Sequence, residues 1–221
     1  MLIIFDLDGT LLNTIDDLGH ACNHALMQSG FPAHAIEEYP ALVGNGVKNL
    51  IRRALPENER TEENVERVYT AFIPYYDAHN ADYTRPYEGI MDLLQVLKKR
   101  GHTLAVASNK YQAATEKIVN QLFPGIFDVV LGEREGIARK PDPQIVYDIF
   151  RMINHTSGAV LYVGDSLVDM ETAKNANVPF VACSWGFVAR QTLVDAGVKC
   201  IVDTPQEIVM PQAGGHVSLL K

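Results

Sequence analysis

Two aspartates placed two residues apart follow a short apolar segment near the beginning of the sequence. Residues 2–5 read LIIF, Asp6 and Asp8 come directly after them, and a Gly-Thr pair follows. A continuous apolar run of this kind predicts a strand covered on both faces, as in a parallel sheet. Its period of two would direct both carboxylates to one side, where their repulsion calls for a cation or a shared proton. The alternative is a tight turn, in which Asp and Gly are common.

Three more groups of polar residues stand at or just after the ends of predicted strands. Ligands of open parallel sheets bind outside the carboxyl ends of the strands, where the strand order reverses. Taken singly, Ser108 and Asp165 could be helix caps and Lys140 could be a solvated loop charge. The three groups are LAVASNK with Ser108 and Asn109, RKPDP with Lys140, and LYVGDSLVD with Asp165 and Asp169.

Together these side chains have the composition of a phosphoryl-transfer site. Carboxylate oxygens without a nearby His or Cys suit Mg²⁺, which usually keeps several waters and a substrate phosphate. A hydroxyl, an amide and an ammonium group are the complementary donors for phosphate oxygens. The sequence therefore predicts Mg²⁺ as cofactor and a small phosphate ester as substrate.

The elements that would position these residues fall into two patterns. From residue 87 onward, helical stretches alternate with short apolar runs, which predicts a doubly wound parallel α/β sheet. Residues 14 to 85 instead repeat apolar residues at three- and four-residue steps, as helices do. We predict an α/β core of residues 1–13 and 87–221, and an all-helical cap domain of residues 14–86 inserted over the sheet after strand one.

Composition and charge limit the classes of partner that the protein could bind. The chain has 221 residues, of which 47% are hydrophobic and 21% charged, so it can bury a sizeable core. A formal net charge of -8 argues against a nucleic-acid partner. Three cysteines without CxxC spacing indicate neither a disulfide framework nor a structural zinc site. Without a secretory pattern or a membrane-spanning run, we predict a cytoplasmic protein with no membrane partner, either a monomer or a weak dimer.

Four motifs carry a resemblance to a known family. FDLDGTLLNT, ASNK, RKPDP and GDSLVD resemble, in order and spacing, the motifs of the haloacid dehalogenase superfamily across essentially the whole chain. The helical insertion is similar to that superfamily's type 1 cap, and LVGNGVKNLIRRAL and SWGF are similar to segments of bacterial phosphoglycolate phosphatases. One departure is Asn13, where many members carry Asp. It lies at the predicted cap tether, so we expect little effect on the chemistry.

The resemblance implies distinct roles for the paired acids. Asp6 would be the nucleophile that forms an aspartyl-phosphate. Asp8 would protonate the leaving alkoxide and then take a proton from the attacking water. Mg²⁺ would be held by the side chains of Asp6 and Asp165 and by the backbone carbonyl of Asp8.

The same resemblance assigns the remaining motif residues to the phosphoryl group. Ser108, Asn109 and Lys140 would hold its oxygens, and Lys140 joins Asp6 and Asp8 among the catalytic residues. Asp169 would not contact the phosphoryl group itself but would orient Lys140 or a metal-bound water.

These roles make a Mg²⁺-dependent phosphatase for 2-phosphoglycolate the leading hypothesis. A pyrophosphatase, or a sugar-phosphate phosphatase or mutase on the same scaffold, is the alternative, since fold and core motifs do not fix the substrate. Hydrolytic dehalogenation is disfavoured because it has no need of the leaving-group acid that Asp8 supplies. A catalytically silent binding protein is disfavoured because Asp6, Asp8, Lys140 and Asp165 are all present.

A loop in the predicted cap is a candidate for substrate selection. Gly44 and Gly46 flank Asn45, ahead of a helix predicted to begin near Val47, so backbone N–H groups and the helix terminus could face an anion. Arg53 follows on the same helix and could reach a substrate carboxylate. The alternative is a flexible turn before a helix.

Overall fold

The chain is divided into two compact units in the computed structural model, which describes residues 1–44 and 46–209. Met1–Leu12 and the chain from Pro86 onward form the first, which we call the core unit. Asn13–Arg85 form the second, the helical unit. The action of the helical unit as a cap stays a prediction.

Six of the strands found in the described residues form one parallel sheet in the core unit, in the order β5-β4-β1-β6-β7-β8. The short strands β2 and β3, which the sequence did not indicate, pair with each other where the two units join. The strands are β1 (Leu2–Phe5), β2 (Leu12–Asn13), β3 (Arg85–Pro86), β4 (Thr103–Tyr111), β5 (Val129–Glu133), β6 (Val160–Gly164), β7 (Phe180–Cys183) and β8 (Ile201–Val202).

Helices alternate with the later strands of the core unit and make up most of the helical unit. No helix within residues 1–44 and 46–209 is long and apolar enough to cross a membrane. The α-helices are α1 (Ile15–Gln28), α2 (Tyr39–Leu42), α3 (Val47–Ala54), α4 (Glu62–His79), α5 (Ile90–Lys99), α6 (Gln112–Leu122), α7 (Gln144–Met152), α8 (Leu167–Asn175) and α9 (Arg190–Asp195). Short 3-10 helices lie at Ile36–Glu38, Glu57–Glu59 and Pro205–Ile208.

Strand β1 lies at the centre of the sheet and is buried on both faces. Ile3 and Phe5 belong to one hydrophobic cluster, and Leu2 and Ile4 to another on the opposite side. The strand pairs with β4 on one side and β6 on the other, so the strand order reverses at β1. The predicted doubly wound parallel sheet is confirmed, and the edge at which sheets of this kind bind their ligands lies just beyond Phe5.

Strand β4 runs further than the sequence pattern indicated. We expected it to end at Ser108, but it continues to Tyr111. Its pairing with β5 shifts register between Ala107 and Tyr111, as happens where a bulge bends a strand. The segment from Ser108 to Lys110 therefore lies between two paired residues of the strand, Ala107 and Tyr111.

Candidate active site

Asp6 stands immediately beyond β1 at the carboxyl edge of the sheet. Its backbone N–H donates to the carbonyl of Val163 at 2.9 Å, which continues the parallel ladder. Its Oδ1 lies 2.9 Å from Nζ of Lys140. Burial, and then the charge of Asp169, raise the pKa of Asp6, while Lys140 opposes them. Asp6 is thus a desolvated carboxylate surrounded by more negative than positive charge.

Lys140 contacts both Asp6, which follows β1, and Asp169, which lies in α8. Its ammonium donates to Oδ1 of Asp169 at 2.7 Å and to the carbonyl of Ala107 at 2.9 Å, in addition to its contact with Asp6. Burial alone would lower the pKa of Lys140, but the charges of Asp169 and Asp6 outweigh it and raise the pKa well above its usual value. Lys140 therefore stays charged in a buried position, as a phosphate-binding residue must.

Asp169 is fixed by the beginning of α8 and by a tyrosine. Its Oδ2 accepts from the backbone N–H of Ser166 at 3.2 Å, and the Ser166 hydroxyl accepts from the backbone N–H of Asp169 at 3.2 Å, which completes a capping box. Its Oδ1 accepts from the Tyr162 hydroxyl at 3.2 Å. The sequence reasoning missed Tyr162, because an apolar strand does not show which of its residues faces the site.

Asp165 is held from two directions. Its Oδ1 accepts from the Thr10 hydroxyl at 3.1 Å and its Oδ2 from the backbone N–H of Phe187 at 2.8 Å. Burial, and then the charge of Asp169, raise the pKa of Asp165 to about 7, although both hydrogen bonds oppose the rise.

Two motif glycines allow this close approach to Asp165. A Cβ on Gly9, which has a φ of +86°, would lie 2.4 Å from the Oδ2 of Asp165. A Cβ on Gly186 would lie 2.3 Å from the Cβ of Asp165. The FDLDGT and SWGF segments therefore need glycine at these positions to pack around the carboxylate.

The acids at this edge fit a divalent cation. Asp6, Asp165 and Asp169 each offer an oxygen, and these atoms lie within 4.8 Å of one another. With Asp8 added, four acids face two ammonium groups, so a divalent cation would offset the excess of negative charge. All the donors are oxygens, which suit Mg²⁺. The backbone carbonyl of Asp8 as a further ligand stays a prediction.

Asp8 makes a separate ion pair. Both of its oxygens accept from the ammonium of Lys110, at 2.8 and 3.0 Å, and only 3% of the Lys110 side chain is exposed. The two acids of the first motif thus meet different lysines, Asp6 meeting Lys140 and Asp8 meeting Lys110. Lys110 stands in the ASNK motif, yet the sequence reasoning gave it no role. Its contact with Asp8 depends on the register of β4 against β1, which a motif does not reveal.

Ser108 and Asn109 make local contacts that hold the two lysines. The Ser108 hydroxyl accepts from the backbone N–H of Lys110 at 3.1 Å. The Asn109 amide donates to the carbonyl of Lys140 at 3.1 Å, and its Oδ1 accepts from the backbone N–H of Lys140 at 2.9 Å. The Asn109 side chain thus positions the Lys140 backbone. Direct contacts of Ser108 and Asn109 with phosphate stay predictions.

The candidate selection loop of the helical unit is organised by Arg53. Its Nη1 donates to the carbonyls of Leu42, Val43 and Gly44 at 2.9, 2.9 and 3.1 Å. Gly46 precedes α3, and Asn45 lies outside the described residues. At least one nitrogen of Arg53 is therefore engaged in shaping the loop. The role of this loop in substrate selection stays a prediction.

Comparisons with known proteins assign the chain to a family. Residues 3–183 match the family model described as haloacid dehalogenase-like hydrolase. A phosphoglycolate phosphatase from Mesorhizobium japonicum is 33% identical over 86% of this chain and 85% of its own. Another from Aquifex aeolicus is 32% identical over 85% of this chain and 86% of its own.

Solved structures give the same result. A protein from Lactobacillus delbrueckii subsp. bulgaricus has a TM-score of 0.89 and 35% identity, covering 94% of this chain and 95% of its own. A predicted phosphoglycolate phosphatase from Haemophilus somnus has a TM-score of 0.85 and 27% identity, covering 94% of this chain and 96% of its own. The resemblance drawn from the motifs, and the phosphoric monoester hydrolase class that it implied, are thereby confirmed.

Proposed function

Because this chain belongs to the haloacid dehalogenase-like hydrolase family, we propose that it hydrolyses 2-phosphoglycolate to glycolate and phosphate with Mg²⁺ as cofactor. One observation carries the proposal: the Asp6 carboxylate is buried at the carboxyl end of the central strand, 2.9 Å from the Lys140 ammonium. The relatives named phosphoglycolate phosphatase support the choice of substrate.

In the first step, an Asp6 oxygen attacks phosphorus and the bond from phosphorus to the bridging oxygen breaks. Asp8 gives its proton to that oxygen, so glycolate leaves as an alcohol and Asp6 carries the phosphoryl group. Lys140, held by Asp169 and Ala107, offsets the negative charge of the phosphoryl oxygens.

In the second step, water replaces Asp6 on phosphorus. Asp8, now ionised, accepts a proton from this water, and the bond between Asp6 and phosphorus breaks. Phosphate leaves, and Asp6 returns to its carboxylate form. Asp8 ends the second step protonated, as the first step requires.

The acids that would hold Mg²⁺ are Asp6 and Asp165, with Asp169 in the same cluster. When bound, Mg²⁺ supplies positive charge that offsets the repulsion between a carboxylate nucleophile and a phosphate dianion. Thr10 and the Phe187 N–H keep Asp165 in place for this role.

A panel of phosphate esters assayed with Mg²⁺ and with excess chelator tests the proposal. We expect the highest kcat/KM for 2-phosphoglycolate, lower values for pyrophosphate and hexose phosphates, and no turnover in chelator. A clear preference for pyrophosphate or a hexose phosphate would contradict the substrate. Full activity in chelator would contradict the metal.

A further inference from the structure

Lys110 is an ammonium group buried beside the leaving-group acid, and the reaction steps above do not use it. Among the lysines and arginines of residues 1–44 and 46–209, Lys110 and Lys140 are the two that are buried, each with 5% of the residue exposed. Lys140 is engaged by the nucleophile Asp6 and by Asp169. Lys110 is engaged by both oxygens of Asp8. Each of the two acids of the first motif therefore has a buried ammonium group of its own.

The backbone of Lys110 is held firmly in place. Its N–H donates to the Ser108 hydroxyl at 3.1 Å, and its carbonyl accepts from the Thr115 hydroxyl at 3.0 Å. Gly132 of β5 packs so close that a Cβ there would lie 2.5 Å from the Lys110 carbonyl oxygen. A lysine side chain loses much conformational entropy when it is buried. This fixed backbone lowers the further ordering that binding an anion would require.

We propose that Lys110 binds the carboxylate of the substrate and selects esters that carry an anionic group next to the bridging oxygen. This inference rests on the proposed function, in which Asp8 contacts that bridging oxygen. In 2-phosphoglycolate the carboxylate is attached to the carbon that bears the bridging oxygen. An ammonium within 3.0 Å of both Asp8 oxygens lies beside that part of the substrate. Selection of the substrate acid is then a property of the core unit.

The competing explanation is that Lys110 only positions Asp8. A positioning role would affect all esters with alkoxide leaving groups alike, since each needs the proton from Asp8. A recognition role would affect only esters that carry the second anion, because a site built to bind a polar group discriminates against the analogue that lacks it. The ratio of kcat/KM values for two matched esters separates these explanations.

The experiment compares 2-phosphoglycolate with 2-hydroxyethyl phosphate, in which an alcohol group replaces the carboxylate. Lys110→Met keeps most of the length of the side chain and removes its charge. We expect this variant to lower the ratio of kcat/KM values, 2-phosphoglycolate over 2-hydroxyethyl phosphate, by about tenfold or more. Lys110→Arg should retain most of the preference. The matched control Lys98→Met, which removes a partly exposed lysine paired with Asp128, should leave the ratio unchanged.

Each outcome decides the matter. If Lys110→Met lowers both kcat/KM values equally, or lowers neither, Lys110 does not bind the substrate carboxylate. That result leaves the proposed substrate unaffected. If the wild-type protein shows no preference for 2-phosphoglycolate over 2-hydroxyethyl phosphate, both the proposed substrate and the proposed role of Lys110 are wrong. Should Lys110→Met fail to give a cooperative thermal transition, Lys110→Gln provides the same comparison with a polar side chain.

Discussion

The acidic site of the core unit and the loop residues 42–44 of the helical unit are held in different ways. In the site, Asp165 and Asp169 are almost fully buried, with 2% and 0% of each residue exposed. Both accept hydrogen bonds from more than one residue. In the loop, three consecutive carbonyls depend on one nitrogen of Arg53.

This difference predicts how well each region tolerates substitution. A site in which each charge is fixed by several partners tolerates little change, because removing one partner leaves a buried charge uncompensated. A loop secured by one side chain can vary with a small effect on the fold. We therefore expect substitutions at the acids to affect turnover and those at the loop to affect substrate binding.

The largest effect is expected at the nucleophile. Asp6→Asn should lower kcat by at least about 10³-fold, because an amide of the same shape cannot supply the nucleophilic oxygen. The loss of kcat is measured as the rate of phosphate release from 2-phosphoglycolate. Asp148→Asn is a matched control, since it also removes a buried carboxylate, one paired with Arg134 and Arg151. That control should lose stability and keep its kcat, and near-normal turnover by Asp6→Asn would rule out the assigned nucleophile.

A somewhat smaller loss is expected at the general acid. Asp8→Asn should lower kcat for 2-phosphoglycolate by ~10²- to 10⁴-fold, the usual contribution of acid-base catalysis. The loss in kcat/KM, which covers only the steps up to departure of the alcohol, should shrink with p-nitrophenyl phosphate, whose leaving group needs less help from a proton. A loss of kcat under about threefold with 2-phosphoglycolate, or an equal loss of kcat/KM with both esters, would argue against the role of Asp8.

The next prediction concerns metal binding, measured as the change in thermal stability that Mg²⁺ causes. Burial raises the pKa of Asp165 to about 7, above the value of 3.8 for an unperturbed group. Without metal, the folded protein therefore holds a proton that the unfolded chain has lost, and stability falls as pH rises from about 4 to about 7. Mg²⁺ at one hundred times its Kd should add about 2.7 kcal/mol. Because protons compete for Asp165, we expect a larger rise in Tm with Mg²⁺ at pH 8 than at pH 6.

Asp165→Asn is the corresponding variant. It should lose most of the Mg²⁺-dependent rise in Tm and part of the fall in stability between about pH 4 and about pH 7, because the pKa of Asp6 is raised as well. An equal rise at both pH values in the wild-type protein would contradict Asp165 as a ligand.

The smallest effect is expected in the loop. Arg53→Ala removes three hydrogen bonds from a charged donor. It should raise KM severalfold and leave kcat within about threefold, as loss of uniform binding does. Arg52→Ala is the matched control on the same helix, since Arg52 pairs with the exposed Glu62. A change in kcat as large as that of Asp8→Asn would remove the distinction between the two regions.

Much of the site could be predicted because its acids follow strand ends. Asp6 and Asp165 come directly after apolar runs, and parallel strands bring such positions to one edge. Lys110 and Tyr162 could not be assigned in this way, because their partners are set by strand register and side-chain direction. The contact of the Asn109 side chain with the Lys140 backbone could not be assigned either, because it joins segments 31 residues apart in sequence. The contact of Asn109 with phosphate stays a prediction.

The position of β1 in the sheet has a consequence for the order of folding. Leu2 pairs with Thr103 on one side and with Val160 on the other. Contacts between residues so far apart in sequence form slowly, because a long loop must close before they stabilise the chain. The central strand can therefore be incorporated only after much of the chain is available. Asp6 follows directly on that strand, so a partly folded chain would lack its nucleophile in place, and activity should return during refolding together with the complete sheet.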